Sequence, residues 1–136
     1  AGENGMIQVV NPAGSDSLVV VERVWLKAAG NSDWRLEVNR LDANGAAGLT
    51  AVLSNPRDLR QEPFQLAGAA FAGTHVGVLP VNYTEIHRIR ATPSFDRYYE
   101  IVLPPGTGFI AADTTANEGT QMSVDFYVRD ALPGEL

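Results

Sequence analysis

Segments that favour turns alternate with strand-patterned segments along this chain, and this alternation most constrains its fold. The clearest example is a matched pair near the two ends. The turn Asn-Pro-Ala-Gly-Ser at residues 11–15 leads into the apolar run at residues 18–26, and the turn Leu-Pro-Pro-Gly-Thr-Gly at residues 103–108 leads into residues 109–112. Proline and glycine interrupt hydrogen-bonded ladders and favour tight turns. The pattern therefore predicts an all-β protein.

Period-two alternation of apolar and polar residues predicts the individual strands. In the closing segment, residues 121–129, Met122, Val124, Phe126 and Val128 are expected to face inward and the residues between them outward. Residues 17–28 form the strongest strand pattern, with apolar side chains at the even positions apart from Glu22 and a second, partly covered face. Further strands are predicted at residues 6–10, 33–41, 49–53, 76–81, 85–91, 97–103 and 108–112. The expected fold is an antiparallel β-sandwich or jelly roll of about eight strands.

The segment at residues 33–41 has two interpretations. Strict alternation of Trp34, Leu36 and Val38 favours a strand, whereas Trp34, Val38 and Leu41 also fall at helical spacing. A turn at residues 30–32 is expected before this segment. The Asn-Gly pair at residues 44–45 predicts a hairpin turn after it, since asparagine and glycine supply the positive φ angles that a tight turn needs.

The middle of the chain has a weaker pattern. Residues 55–61 are predicted to form one helical turn, with Asn55 as the cap and Pro56 at the first helical position. Residues 66–73 are rich in glycine and alanine, which makes them poor helix and poor strand formers. We expect this segment to be an excursion that packs closely against the domain's own core or against a neighbouring subunit.

Composition excludes several classes of function. The chain has no cysteine, which excludes disulfides, thiolate catalysis and cysteine-based metal sites. The formal net charge of −6 disfavours general binding of phosphate backbones. No run approaches the ~20 apolar residues of a spanning helix. The pattern predicts one domain over residues 1–136, with an N-terminal arm at residues 1–5 and a C-terminal tail at residues 130–136.

Candidate reactive residues are few. His75 is expected in a loop and His87 in mid-strand. Neither lies near a Gly-x-Ser-x-Gly motif or in a His-x-His pair, so a surface or pairing role is favoured over catalysis or metal binding. Residues 42–45 resemble a calcium loop only in part, and residues 104–108 lack the Lys-Ser/Thr of a phosphate loop. The loop at residues 113–119 could hold a cation at a sheet end or be a solvated loop. The sequence predicts no catalytic, cofactor-binding or metal-binding residues and no cofactor.

Two groups of side chains could form binding surfaces. One is a set of arginines that acidic residues interrupt, so a nucleic-acid patch is disfavoured: Arg57, Arg60, Arg88, Arg90 and Arg97. The other is a set of aromatic residues that could stack on sugars or pack in the core or a subunit interface: Trp25, Trp34, Tyr83, Tyr98, Tyr99 and Tyr127.

The order of the terminal motifs resembles a known type of protein. Val-x-Asn-Pro-Ala-Gly-Ser at residues 9–15, Val-Val-Val-Glu-Arg-Val at 19–24, Leu-Pro-Pro-Gly-Thr-Gly at 103–108 and Met-Ser-Val-Asp-Phe at 122–126 carry the resemblance. Together they resemble virion structural proteins of tailed bacteriophages, in particular small jelly-roll or β-sandwich capsid decoration (cement) proteins. The resemblance covers both ends of the chain well and residues 55–83 poorly.

The resemblance implies a non-enzymatic structural role. Such a protein binds the outer capsid lattice as a homo-oligomer, often a trimer, and stabilises the shell. The implied partners are further copies of the chain and the major capsid protein, with no nucleic acid and no membrane. The implied location is the capsid surface of the virion, after synthesis in the host cytoplasm. The N-terminal arm and residues 66–73 are the segments expected to touch neighbours.

Two alternatives remain open. One is a tail or fibre module that binds a receptor or carbohydrate, which would require exposed, coplanar aromatic side chains. The other is an enzyme on a cupin-like or sandwich fold. That enzyme would need a cluster of histidine and glutamate ligands, and two distant histidines do not supply one.

Overall fold

The computed structural model describes residues 3–39, 49–51, 70–76, 83–115 and 119–136. Every regular element in this part of the chain is a β-strand: β1 (Glu3–Asn11), β2 (Ser17–Asn39), β3 (Leu49–Ala51), β4 (Ala70–Val76), β5 (Tyr83–Leu103), β6 (Thr107–Asp113) and β7 (Thr120–Asp130). All pairings between them are antiparallel. The predicted all-β antiparallel fold is confirmed. The described residues contain seven strands, where about eight were expected for the whole chain.

Strand β2 lies at the centre of the sheet along its whole length. Its first half pairs with β7 on one side and with the second half of β5 on the other. Its second half pairs with β6 and with the first half of β5. Beyond β6, the sheet continues through β1 and β4 to β3. Strands β2 and β5 therefore run through two halves of the sheet. One half has three strands, β5–β2–β7. In the wider half, β2 and β5 are joined by β6, β1, β4 and β3.

The turn predicted at residues 30–32 is wrong, because β2 runs without reversal from Ser17 to Asn39. The chain before this segment and the end of the segment pair with the same strand, β5: Lys27 lies opposite Ser94, and Ser32 lies opposite Thr92. The register shifts between these two pairs, so the chain is irregular here and still continues in the same direction. For the same reason β5 is one strand where two were expected. The strand interpretation of residues 33–39 is confirmed, and residues 40–41 lie outside the described part.

The face of β2 that points to the core changes part-way along the strand. Val19 and Val21 are fully buried in the core, and after a register shift between Val21 and Arg23 the core residues are Val24 and Leu26. An extra residue in one strand of a pair reverses the alternation. The sequence expectation that the even positions of residues 17–28 share one face is therefore wrong. The inward set predicted for β7 is confirmed, since all four side chains pack against the core.

The glycine- and alanine-rich segment is partly strand. Residues 70–73 belong to β4, which pairs with β1 on one side and β3 on the other, so the expectation of an irregular excursion is wrong for these residues. Two flanking strands supply backbone hydrogen bonds, and these outweigh the low strand propensity of the side chains. His75 also lies in β4, opposite Asn4, and is not a loop residue. Strand β1 begins at Glu3, within the segment predicted as an arm.

Four predicted features fall outside the described residues: the hairpin turn at 42–45, the helical turn at 55–61, the start of the glycine- and alanine-rich segment at 66–69, and most of the strand at 76–81.

The core lies on the inner face of both halves of the sheet. Its largest fully buried side chains include Trp34 and Leu36 from β2 and Phe109 from β6. Strand β1 also approaches β7, since a Cβ atom at Gly5 would collide with Oγ1 of Thr120. This close approach places strands of the wider half over the three-stranded half, an arrangement consistent with a sandwich-like fold.

Candidate functional site

The two terminal turns that dominate the sequence meet in the structure. Asn11 is fully buried, and its Nδ2 donates to the carbonyl oxygens of Ser17 at 2.9 Å and Leu103 at 2.8 Å. The backbone N–H of Gly106 donates to the Asn11 carbonyl at 2.7 Å. Gly106 has a φ of 82°, which suits glycine in the second turn. One asparagine side chain thus joins the start of β2 to the end of β5.

The outer side of the three-stranded half carries exposed aromatic and apolar side chains. We call this surface the outer aromatic face and define it by six residues: Arg23, Trp25, Asp96, Tyr98, Val102 and Tyr127. The pairing of the strands accounts for it. Arg23 lies opposite Tyr98, Trp25 opposite Asp96, and Val102 and Tyr127 flank Val20 on its two sides. Directly opposite residues in antiparallel strands point to the same side of a sheet.

Exposure within the outer aromatic face is uneven. Tyr98 is 70% exposed, Tyr127 43% and Val102 41%, whereas Val20 between the last two is buried. Trp25 is partly exposed. Single exposed apolar residues are normal on protein surfaces, but a contiguous group on one sheet face points to a contact surface.

Arg23 is held in a fixed position at the centre of this face. Its Nε donates to Oδ1 of Asp96 at 2.9 Å, and its Nη2 donates to Oδ2 at 2.6 Å. Its guanidinium carbon lies 5.4 Å from the centroid of the Tyr98 ring. The bidentate hydrogen bond from Arg23 lowers the pKa of the Asp96 carboxyl, so Asp96 is ionised at neutral pH. The ion pair and the ring contact together fix the Arg23 side chain.

A second charged group lies on the wider half. Arg35 Nη2 lies 2.6 Å from Oε1 of Glu37 and 3.8 Å from Oε2 of Glu85, and Glu85 also pairs with Arg88 at 2.8 Å. Glu37 is 2% exposed, and its Oε2 has no hydrogen-bond partner. Burial raises the pKa of Glu37 despite the nearby arginine, since desolvation disfavours the carboxylate. Arg88 lowers the pKa of Glu85.

The two histidines are the candidate reactive residues of the sequence. They lie on different strands, His75 on β4 and His87 on β5. His87 Nδ1 lies 3.0 Å from the Tyr99 hydroxyl, and its ring meets Phe95 edge-on at 5.8 Å. This arrangement is the pairing role expected for His87. Among the described residues, no group of three or more histidine, cysteine, aspartate or glutamate side chains is placed to hold a metal ion.

The loop considered as a cation site begins at a buried carboxylate. Asp113 ends β6, and its Oδ1 accepts the backbone N–H of Thr115 at 2.8 Å. Its Oδ2 lies 3.5 Å from the Ser32 hydroxyl. These contacts anchor the start of the loop on the sheet, and residues 116–118 lie outside the described part.

The structure separates the two surfaces suggested by the sequence. Arg88 pairs with Glu85, whereas the Arg97 guanidinium lies 5.3 Å from the Tyr99 ring centroid. Arg57 and Arg60 fall outside the described residues. Among the aromatic residues, Trp34 is buried and Tyr99 packs against the core. Trp25, Tyr98 and Tyr127 lie on the outer aromatic face, and the side chain of Tyr83 falls outside the described part.

Sequence reasoning missed the roles of Asn11, Arg23 and Asp96. Asn11 was treated only as part of a turn, although an asparagine before a proline marks a position where a side chain can hydrogen-bond to nearby backbone. The signal for Arg23 was a charged residue within an apolar strand. Its pairing with Asp96 depends on a register that only the structure provides.

Comparisons with known proteins add no assignment. The chain matches no family model, no curated protein and no solved structure. In the described part of the chain, no helix is long and apolar enough to cross a membrane.

Proposed function

We propose that this protein is a non-enzymatic virion structural protein of a tailed bacteriophage, which binds the outer capsid lattice as a homo-oligomer and stabilises the shell. The assembly is expected to be a trimer, with the major capsid protein as its partner. The motifs at residues 9–15, 19–24, 103–108 and 122–126 support the virion assignment by resemblance.

The observation that carries the proposal is that β5 and β7 are long edge strands among the strands that the structure describes. Within the described strands, β5 pairs only with β2 along its 21 residues, and β7 pairs only with β2 along its 11 residues. An edge strand presents unpaired backbone N–H and C=O groups to a neighbouring chain. Repeated contacts of this kind, each weak alone, would stabilise a shell through multivalency.

Features of β5 favour a specific neighbour over random association. Pro93 removes one backbone donor from the edge, and charged side chains lie on both sides of it. Both features restrict edge-to-edge pairing to partners with matching register and charge. A symmetric oligomer satisfies that requirement, since every copy presents the same edge.

The test is capsid binding together with the mass of the protein in solution. We expect light scattering after size exclusion to give a mass several times 14.6 kDa, and we expect the protein to cosediment with capsids that lack it. Bound capsids should also resist heat better than bare ones. An unrelated monomeric protein with the same net charge of −6 controls for electrostatic adsorption. A protein that is monomeric in solution and does not cosediment with capsids would contradict the proposal.

A further inference from the structure

We infer that the outer aromatic face is a binding site for neutral carbohydrate. Tyr98 and Tyr127 lie on β5 and β7, the strands whose edges carry the contact proposed above, but the site uses the outer face of these strands and not their edges. Its central feature is a diagonal pair of aromatic side chains on adjacent strands, Trp25 on β2 and Tyr98 on β5, with Arg23 directly opposite Tyr98.

The spacing of the aromatic residues suits an extended ligand. Tyr98 lies opposite Arg23, and Trp25 is two residues further along β2. With an interstrand distance of about 4.8 Å and a rise of about 3.4 Å per residue, the Trp25 and Tyr98 backbones are about 8 Å apart. Tyr127 lies on the opposite side of β2, about 10 Å from the β5 strand. Rings at these positions offer apolar surfaces on which the C–H faces of successive sugar rings can pack.

Polar side chains opposite Trp25 and Arg23 can form hydrogen bonds with a ligand. Asp96 lies opposite Trp25 in β5, and Ser123 lies opposite Trp25 in β7; Asp125 lies opposite Arg23. An ionised carboxylate accepts up to about four hydrogen bonds, so Asp96 retains capacity after its two bonds from Arg23. Sugar hydroxyls are donors that match such acceptors.

The charges on this face select among ligands. Asp96 and Asp125 flank Arg23, so the positive charge of the guanidinium is already compensated. An anionic glycan or a nucleic-acid backbone would meet these carboxylates unfavourably. A neutral glycan meets no such repulsion.

The size of the face favours a glycan over a second protein chain. The exposed fractions of Tyr98, Tyr127 and Val102 correspond to an accessible area of roughly 300 Å², the tyrosine hydroxyls included. A standard protein–protein interface buries about 800 Å² on each partner. A short oligosaccharide can cover the smaller area completely.

The backbone of the site belongs to paired strands and not to a loop. Trp25 is on the central strand β2 and Tyr98 is on its neighbour β5, and the ion pair with Asp96 holds the Arg23 side chain beside them. A preorganised site loses less conformational entropy on binding than a mobile loop does.

The experiment is an array of immobilised neutral oligosaccharides of glucose, N-acetylglucosamine, mannose and galactose, followed by calorimetric titration of each sugar that binds. We expect at least one class to bind. Tyr98→Ala and Trp25→Ala should each weaken that binding about tenfold, through loss of a stacked ring. Tyr98→Phe should retain it. Ile86→Ala is the matched control, because Ile86 is 43% exposed on the other half of the same strand, and its affinity should equal that of the wild type.

Three outcomes would overturn the inference. One is that none of these sugars binds; another is that binding survives both alanine substitutions. The third is that Tyr98→Ala changes the mass of the protein in solution without changing sugar affinity, which would make the face an interface between copies. Far-ultraviolet circular dichroism and the melting temperature of each variant check that the fold is intact. Capsid cosedimentation is measured separately, so loss of one property does not affect the test of the other.

Discussion

Asn11 offers the sharpest test of how the two ends of the chain are joined. Replacing it with alanine removes two hydrogen bonds from Nδ2 and leaves the buried carbonyl of Leu103 without this donor. Each bond contributes about 1 kcal/mol net, and an unsatisfied buried group costs about 1–3 kcal/mol. These contributions add to about 3–5 kcal/mol, and removal of the buried Oδ1 of Asn11, which has no hydrogen-bond partner, recovers about 1 kcal/mol. We therefore expect Asn11→Ala to lower the free energy of unfolding by about 2–4 kcal/mol. For a chain of this length, each kcal/mol corresponds to about 3–5 °C in melting temperature.

The assay is thermal and urea denaturation followed by circular dichroism. The control is Asn31→Ala, an exposed asparagine of β2, which should change the midpoint by less than about 0.5 kcal/mol. Asn11→Asp adds a second diagnostic, since it keeps the size of the side chain but places a carboxylate against two carbonyl oxygens. It should be less stable than Asn11→Ala at pH 7 and recover as the pH falls. If Asn11→Ala has the same melting temperature as Asn31→Ala, the Asn11 side chain does not hold the two ends of the chain together and the reasoning is refuted.

Three further predictions concern the core, a buried charge and a turn. Phe109→Ala should cost about 3–5 kcal/mol in urea denaturation, because a fully buried ring leaves a cavity at the centre of the core; a value below about 1 kcal/mol would contradict the packing described. The pKa of Glu37 is raised above 4.5 in the folded protein, so its contribution to stability is fully present below pH 4.5 and is lost as the pH rises through the folded pKa. Urea titrations from pH 4 to pH 8 should therefore show the wild type losing stability with rising pH relative to Glu37→Gln, and a constant difference would contradict the raised pKa. Gly106→Ala should cost about 1 kcal/mol through its positive φ alone, since no atom lies within 4 Å of a new Cβ; calorimetry of this variant beside Gly119→Ala, where φ is not positive, isolates the backbone effect.

The sequence predicted the strands correctly where apolar and polar residues alternate. The closing strand was predicted with its inward set because Met122 to Val128 alternate without interruption. Residues 33–39 were assigned as strand on the same grounds. In both cases apolar and polar residues alternate strictly, which is the condition under which period-two reasoning works.

The failures have a common physical cause. The continuation of β2 through residues 30–32 and the strand identity of residues 70–73 both depend on which strand lies alongside. Pairing partners distant in sequence outweigh local propensity. The change of inward face after Val21 was also not predicted. Apolar residues occupy both faces of β2 there, so the sequence does not show which of them face the core. The outer aromatic face could be predicted only as a set of residue types. Its geometry requires the register between Arg23 and Tyr98.

The central position of β2 has a consequence for how the chain is made. Residues 17–39 leave the ribosome before their partners β5, β6 and β7, which lie at residues 83–130. At about 5–20 residues per second, the apolar run of β2 stays unpaired for several seconds during synthesis. Its pairings also span long stretches of chain, so folding is expected to be slow and to begin only once most of the protein exists. Until then β2 is the segment most exposed to aggregation and most in need of a chaperone.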